Sequence, residues 1–323
     1  MSASGGTKAV VAALLANLGI AITKFVAWML TGASSMLAEA IHSVADSGNQ
    51  ALLLLGGRRA KRDATPQHPF GYGRERYIYA FIVSIVLFSV GGLFALYEAF
   101  HKYEQVHAGE PDKLLDSGLG WVPILVLSVA IVMESFSFRT AIVESNRVRD
   151  NQSWVQFVRT AKAPELPVVL LEDLAALLGL FFALIGVGMS LLTGNAYWDV
   201  GGTTAIGLLL VTVAIVLALE TKSLLLGEGA SPAALARIRA ALEAEPAIDR
   251  IIHMKTLHLG PDELLVAAKI GVRRTDSAAD VAAAIDGAER RVREAEPLAR
   301  LVYLEPDIYR AQAPVPGGDA PEH

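Results

Sequence analysis

Long apolar stretches alternate with short polar connections over the first two thirds of the chain. Six of these stretches reach the roughly 20 apolar residues that a helix needs to cross a bilayer. They cover about 9–31, 34–56, 78–100, 119–140, 166–192 and 200–225. The pattern therefore predicts a membrane all-α region of six transmembrane helices.

The pattern changes after the sixth stretch, where charged residues become frequent. Ser231, followed by proline, is a typical helix start, and Ser277 with Asp280 has the spacing of a capping box. Apolar residues alternate with others over 264–272, as in a half-buried strand, and a last short strand is predicted over 301–304. The order α-β-β-α-β predicts a small α+β domain of ferredoxin-like type.

Three parts of the chain are therefore expected. A transmembrane domain covers 1–225, a cytoplasmic ferredoxin-like domain covers 226–311, and a tail over 312–323 with three prolines and two glycines is predicted to be disordered. The first apolar stretch is too long for a signal-peptide core and lacks a following small-residue cleavage site, so it is predicted to be a retained span.

Composition supports a membrane protein and narrows its chemistry. The chain is 53% hydrophobic with a mean hydropathy of +0.43, which is too apolar for an ordinary soluble protein. It has no cysteine, so disulfides and thiolate metal sites are excluded. Its net charge of −5 argues against nucleic acid as a partner.

Charge in the connections predicts the orientation of the spans. Basic residues concentrate in the connections at 57–77 and 141–165, whereas those at 101–118 and 193–199 lean acidic. The positive-inside rule therefore puts both termini in the cytoplasm. The Ala- and Arg-rich composition favours a bacterial inner membrane as the host bilayer.

A polar stripe runs along the second predicted span. Glu39, His42, Asp46 and Asn49 follow one another at spacings of three, four and three, so they share one helix face. An ionised Asp at bilayer depth costs about 2.5–3.5 kcal/mol, so such groups must face the bundle interior, a partner or a water-filled path. His42 and Asp46 could bind one cation, but zinc takes four ligands and a second helix must supply the others.

The fifth predicted span carries Glu172 and Asp173 side by side in an apolar run. Adjacent helix residues point about 100° apart, so one could bind a metal while the other supports it or accepts a proton. Asn49 is suited to interhelical hydrogen bonding as well as to ligation. Glu134 is expected to line only the cytoplasmic mouth, and Lys24 to snorkel or to pair with a carboxylate.

Three segments together resemble the cation diffusion facilitator family. These are SMLAEAIHSVAD at 35–46, HPFGYGRERY at 68–77 and LLEDLAALLG at 170–179, and the last two are most similar to the branch that contains the ninth animal zinc transporter. The resemblance implies a homodimer that exports divalent metals from the cytoplasm in exchange for protons, with its cytoplasmic domains in contact.

The resemblance also implies a transport site of two residues four apart in the second span and two in the fifth. By position these are His42, Asp46, Val169 and Asp173. Valine cannot bind a metal, so the fourth ligand would be Glu172, Asn49, water or another group. Two other family sites are incomplete here: His68 matches an accessory-site histidine but Tyr72 replaces its partner, and the cytoplasmic ligand positions hold Ile252, Ala267, Tyr303 and Glu305.

The predicted function is therefore that of a proton-coupled antiporter for a divalent transition metal. Zn²⁺ is favoured by nitrogen and carboxylate ligation, and Mn²⁺, Fe²⁺ and Co²⁺ stay open. No phosphate loop suggests that ATP drives the cycle. An intramembrane metalloenzyme would need a motif such as H-E-x-x-H, which is absent, so no enzyme is expected. A non-transporting membrane scaffold or regulator is the alternative.

Overall fold

A computed structural model of the protein describes residues 18–116, 118–149 and 151–309. The chain divides into two compact units, Met1–Leu226 and Gly227–His323. The predicted disordered tail at 312–323 and the start of the first predicted span lie outside the described residues.

The first unit has helices and no strands as the regular elements of its described part, where an isolated β-bridge between Thr65 and His68 lies in a connection. Its helices are α1, described over Leu18–Thr31, α2 (Ser34–Arg59), α3 (Glu75–Val86), α4 (Phe94–His107), α5 (Lys113–Asp116), α6 (Trp121–Val148), α7 (Trp154–Thr160), α8 (Glu165–Thr193) and α9 (Tyr197–Leu226). A π-helical segment over Leu87–Leu93 joins α3 and α4 into one continuous helix.

Within the described residues, four helices are long and apolar enough to cross a membrane. These are the continuous helix Glu75–His107 and helices α6, α8 and α9. The described part of α1 is apolar but shorter. Helix α2 has 26 residues, enough to span, but its polar stripe lowers its hydropathy. Large apolar side chains such as Val132, Phe136 and Leu192 point outward, as lipid-facing residues do. Six spans remain a prediction.

Helices α8 and α9 cross at close range because glycines lie between their backbones. A Cβ added at Gly202 would lie 2.8 Å from the carbonyl oxygen of Phe182 and 3.2 Å from the Cα of Gly186. Small residues at such crossings let membrane helices approach closely. Helix α2 packs against this closely spaced pair, since it contacts both helices.

The start of α2 is capped by a residue distant in sequence. Ala33 at the N-cap offers no side-chain hydrogen bond. Instead, the buried carboxylate of Asp199 on α9 accepts from the backbone N–H of Ser34 at 2.7 Å and from that of Ser35 at 3.3 Å. Both serine hydroxyls also donate to Asp199, at 3.0 and 2.5 Å. The orientation of α2, which carries the polar stripe, is thus fixed by α9.

The second unit contains two helices and a three-stranded sheet. Its elements are α10 (Pro232–Glu243), β1 (Arg250–Gly260), β2 (Glu263–Gly271), α11 (Ala278–Ala295) and β3 (Leu301–Asp307). The strand order is β1-β2-β3, with β1 and β2 antiparallel and β2 and β3 parallel. Chain order is therefore α-β-β-α-β, while the ferredoxin-like arrangement stays a prediction.

Both helix starts predicted in this unit are confirmed. The hydroxyl of Ser231 accepts from the backbone N–H of Ala234 at 3.3 Å. Ser277 and Asp280 form the reciprocal hydrogen bonds of a capping box. Strand β3 extends beyond the predicted residue 304 to Asp307, because it pairs in parallel with β2 along that length.

Candidate cation site

The polar stripe of α2 faces the interior of the helical unit. Glu39 and Asn49 are fully buried and His42 is 1% exposed. The Asp46 side chain keeps 19% of its surface exposed. The stripe therefore has the inward orientation that the cost of placing polar groups in lipid requires.

His42 and Asp46 form a pair with unused coordinating atoms. Nδ1 of His42 lies 3.5 Å from Oδ1 of Asp46. Among the described residues, neither ring nitrogen of His42 nor Oδ1 of Asp46 has a hydrogen-bond partner, although all three atoms are buried. A buried polar group without a partner costs about 1–3 kcal/mol, so such atoms call for a ligand. A cation bound between imidazole and carboxylate would satisfy them.

The π-helical segment lies against this imidazole. A Cβ placed on Gly91 would lie 3.9 Å from Nδ1 of His42 and 3.4 Å from a methyl group of Leu210. The glycine therefore leaves space beside the ring that a larger side chain would reduce. π-Helical turns occur frequently at functional sites.

The acidic pair of α8 is buried, and its two carboxylates have different partners. Oε1 of Glu172 accepts from Nδ2 of Asn49 at 2.7 Å, which joins α8 to α2. Oδ2 of Asp173 accepts from the hydroxyl of Ser137 on α6 at 2.9 Å. The divergence follows from the 100° step between adjacent helix residues. Asn49 therefore makes an interhelical hydrogen bond, and its Oδ1 is buried without a hydrogen-bond partner among the described residues.

A small cavity of about 30 Å³ lies between α1, α2, α6 and α8. That volume exceeds the roughly 10–15 Å³ that a water molecule needs. Its lining residues are Ile20, Ser43, Asp46, Gln50, Glu134, Ser137 and Asp173. The cavity thus brings Asp46 of the second predicted span and Asp173 of the fifth to one space, while His42, Glu172 and Asn49 lie outside its lining.

The candidate residues do not form one closed coordination shell. Over the described ranges, no three His, Asp or Glu side chains lie close enough together to hold a metal ion. The arrangement is instead a His42–Asp46 pair that faces Asp173 across the cavity, with Asn49 bonded to Glu172 beside it. Side-chain rearrangement would be needed before all of them could contact one ion.

Two further charged residues of the spans are placed by their contacts. The ammonium group of Lys24 lies 2.9 Å from Glu39 and 2.8 Å from the Ser43 hydroxyl, and it is buried. Of the two roles expected for Lys24, pairing with a carboxylate is the one observed. Glu134 lines the cavity itself, whereas the sequence suggested only a place at its mouth. Lys24 and Glu134 are distant in sequence from the residues that they meet, so no local sequence pattern predicts either contact.

The accessory positions suggested by the resemblance have structural partners. The rings of His68 and Tyr72 pack at 4.7 Å between centroids. In the second unit, Lys269 bridges Glu305 at 3.1 Å and Asp307 at 3.0 Å. Hydrogen bonds to Asp307 and Glu305 raise the pKa of Lys269, so Glu305 is engaged with a cationic side chain.

Comparison with known proteins places the first unit in a defined family. The family described as the cation efflux transmembrane domain matches residues 10–226. The chain is 33% identical over 273 residues to the proton-coupled zinc antiporter SLC30A9, mitochondrial, of Xenopus laevis, which covers 84% of this chain and 47% of the relative. The Homo sapiens protein of that name is 31% identical over 271 residues, covering 82% and 46%.

A plant relative extends the comparison. Metal tolerance protein C4 of Arabidopsis thaliana is 26% identical over 265 residues, which cover 81% of this chain and 56% of the relative. The chain spans about half the length of the curated relatives that it matches. At the level of the family, the prediction of a transporter instead of an enzyme is confirmed. The chain is an integral membrane protein that belongs to the cation diffusion facilitator family and resembles its SLC30A9 branch.

Proposed function

We propose that the chain is a proton-coupled antiporter that exports a divalent transition metal, Zn²⁺ in the first place, from the cytoplasm. The observation that carries the proposal is the His42–Asp46 pair. Its buried coordinating atoms have no hydrogen-bond partner within the described part of the chain, and Asp46 lines a cavity together with Asp173. Relatives named proton-coupled zinc antiporters support both the metal and the coupling.

Competition between metal and protons follows from the chemistry of these groups. A metal binds neutral imidazole and ionised carboxylate, so its binding displaces protons and a high proton concentration displaces it. Histidine ordinarily titrates near pH 6.5, which suits exchange at physiological pH. A site that opens alternately to the two sides of the membrane would take metal from the neutral cytoplasm. It would release metal on the side where protons are more abundant.

The ligand set of the proposal is His42, Asp46 and Asp173, with Glu172 and Asn49 as further candidates. Val169 occupies the remaining family position and packs among apolar residues, so it cannot contribute. The hydrogen bond between Asn49 and Glu172 uses Nδ2 of Asn49 and Oε1 of Glu172, so it leaves Oδ1 of Asn49 and Oε2 of Glu172 as their possible ligand atoms. Nitrogen and carboxylate ligation favours zinc over Mg²⁺, which prefers oxygen and water.

The wider architecture belongs to the same proposal. Six spans place the basic connections and both termini in the cytoplasm. The second unit, with its ferredoxin-like element order, would hold two chains together as a homodimer. Composition favours a bacterial inner membrane as host, and the animal relatives are named mitochondrial.

Transport into liposomes tests the proposal. Purified full-length protein is reconstituted, a pH gradient is imposed, and Zn²⁺ movement is followed with an enclosed fluorescent indicator. Wild type should move Zn²⁺ only with the gradient, and Asp46→Ala should lose the flux while still folding. Glu144→Gln changes an exposed carboxylate paired with Arg147 and should transport as wild type does. No flux of Zn²⁺ or Mn²⁺ by wild type would refute transport and favour the scaffold alternative.

A further inference from the structure

We propose that Glu134 on α6 is a direct ligand of the transported cation and supplies the carboxylate that the fifth span lacks at Val169. The inference rests on the proposed transport function, because it adds a residue to that site. Ligands of the cation would then come from three helices, α2, α6 and α8. The family resemblance implies ligands only from the second and fifth predicted spans.

Position is the first argument. Glu134 lines the same cavity as Asp46 and Asp173, so carboxylates from three helices face one small space. Ser137 lies almost one helical turn after Glu134, on the same face of α6. Its hydroxyl donates to Asp173 at 2.9 Å, which shows that this face of α6 is directed at the acidic pair of α8.

Availability is the second argument. Oε2 of Glu39 pairs with Lys24, Glu172 accepts from Asn49, and Asp173 accepts from Ser137. Across the described ranges, the carboxylate of Glu134 has neither a hydrogen bond nor an ion pair. Both of its oxygens therefore remain free to coordinate an ion.

Charge is the third argument. Val132, Met133 and Phe136 beside Glu134 are exposed apolar side chains on the lipid-facing surface of α6. An ionised carboxylate at such depth costs about 2.5–3.5 kcal/mol unless something compensates its charge. Lys24, a buried cation of the spans, is already hydrogen-bonded to Glu39 and Ser43. A divalent cation in the cavity would provide the missing positive charge.

The neighbouring His42 supplies an independent indication that an ion belongs here. His42 is only 1% exposed, and both of its ring nitrogens lack a hydrogen-bond partner within the described part of the chain. Nδ1 of His42 lies 3.5 Å from Oδ1 of Asp46, and the Asp46 side chain lines the cavity. As placed, these three carboxylates do not lie close enough together to hold one ion, so their side chains would have to move together first. An ion held by Asp46, Glu134 and Asp173 after that movement would lie near an imidazole whose nitrogens have no partner among the described residues.

Zinc binding by the full-length protein in detergent tests the role of Glu134. Glu134→Gln keeps the shape and removes the charge, and Glu134→Asp keeps the charge. Glu144→Gln is the matched control on the same helix, exposed and bound to Arg147. Loss of a supporting group around a metal typically costs 10–100-fold in affinity, so loss of a direct ligand should cost about 100-fold or more.

The expected result is a loss of about 100-fold for Glu134→Gln, with Glu134→Asp much closer to wild type and Glu144→Gln unchanged. Size-exclusion profiles and melting curves show whether each variant folds, and the charge-preserving Glu134→Asp separates ligation from packing. Wild-type affinity in Glu134→Gln, together with loss of binding in Asp46→Ala, would refute this inference alone. Absence of binding in wild type itself would refute the proposed function as well.

Discussion

Removing the Asp199 carboxylate should destabilise the membrane unit strongly. Asp199→Ala deletes the acceptor of two backbone N–H groups and two hydroxyls at the start of α2. Ser34 can keep its hydroxyl bond with Thr203, 2.8 Å away, so the hydroxyl losses are partly compensated. The amides of Ser34 and Ser35 have no such substitute, because Ala33 offers no cap.

The magnitude follows from those two amides. Each buried donor left without a partner costs about 1–3 kcal/mol, which gives a total near 4 kcal/mol. A change of 1 kcal/mol moves the melting temperature of a unit of 150–250 residues, such as the membrane unit, by about 2–4 °C, so we expect a decrease of roughly 10 °C. Asp199→Asn, which keeps one acceptor oxygen, should fall between Asp199→Ala and wild type.

Thermal unfolding of the full chain in detergent, followed by circular dichroism, measures the effect. Asp116→Ala serves as the control, because Asp116 is an exposed carboxylate at the end of the short helix α5. Exposed substitutions usually change stability by no more than about 0.5 kcal/mol. If Asp199→Ala melted within about 2 °C of the Asp116→Ala control, less than roughly 1 kcal/mol would separate them and the distant cap would not stabilise α2.

Two other predictions concern charge. Lys24→Met leaves Glu39 buried without its cation, which should cost about 3–5 kcal/mol, and Glu39→Gln in the same chain should recover part of that loss. If the losses of unfolding free energy in Lys24→Met and Glu39→Gln simply added in the double variant, the two residues would not be coupled. In the second unit, hydrogen bonds from the hydroxyl and then the backbone N–H of Ser277 lower the pKa of Asp280. A group whose pKa is lower in the folded state stabilises the fold at pH values above its unfolded pKa of about 4. That stabilisation is lost as the pH falls through the folded-state pKa. The melting difference between wild type and Asp280→Ala should therefore shrink between pH 6 and pH 3; a constant difference would contradict the ion-dependent cap.

Sequence patterns predicted the long apolar helices that the structure describes, the α-β-β-α-β order of the second unit and the inward face of α2, but not the short helices α5 and α7. The capping signals at Ser231 and Ser277 act over three residues, so they can be recognised locally, and both are confirmed. The stripe from Glu39 to Asn49 was recognisable because 3.6-residue periodicity fixes which side chains share a face. Polar groups within an apolar helix must then point inward.

Other features depend on contacts that local patterns do not encode. Helix α4 continues to His107, beyond the predicted residue 100, although residues 101–107 are mostly polar and hydropathy alone does not mark them as helical. The π-helical segment adds a residue to a turn without changing hydropathy. Asp199 caps a helix 165 residues away, and Glu134 meets Asp173 only through the packing of α6 on α8. Such partnerships emerge from tertiary structure.

Calorimetric titration of the purified full-length chain with Zn²⁺ tests the central claim most directly, namely that α2 and α8 contribute to one cation site. Wild type should bind one ion with high affinity, releasing protons. Asp46→Ala and Asp173→Ala should each abolish that binding, although the residues belong to different helices. Wild-type affinity in either variant would contradict a shared site.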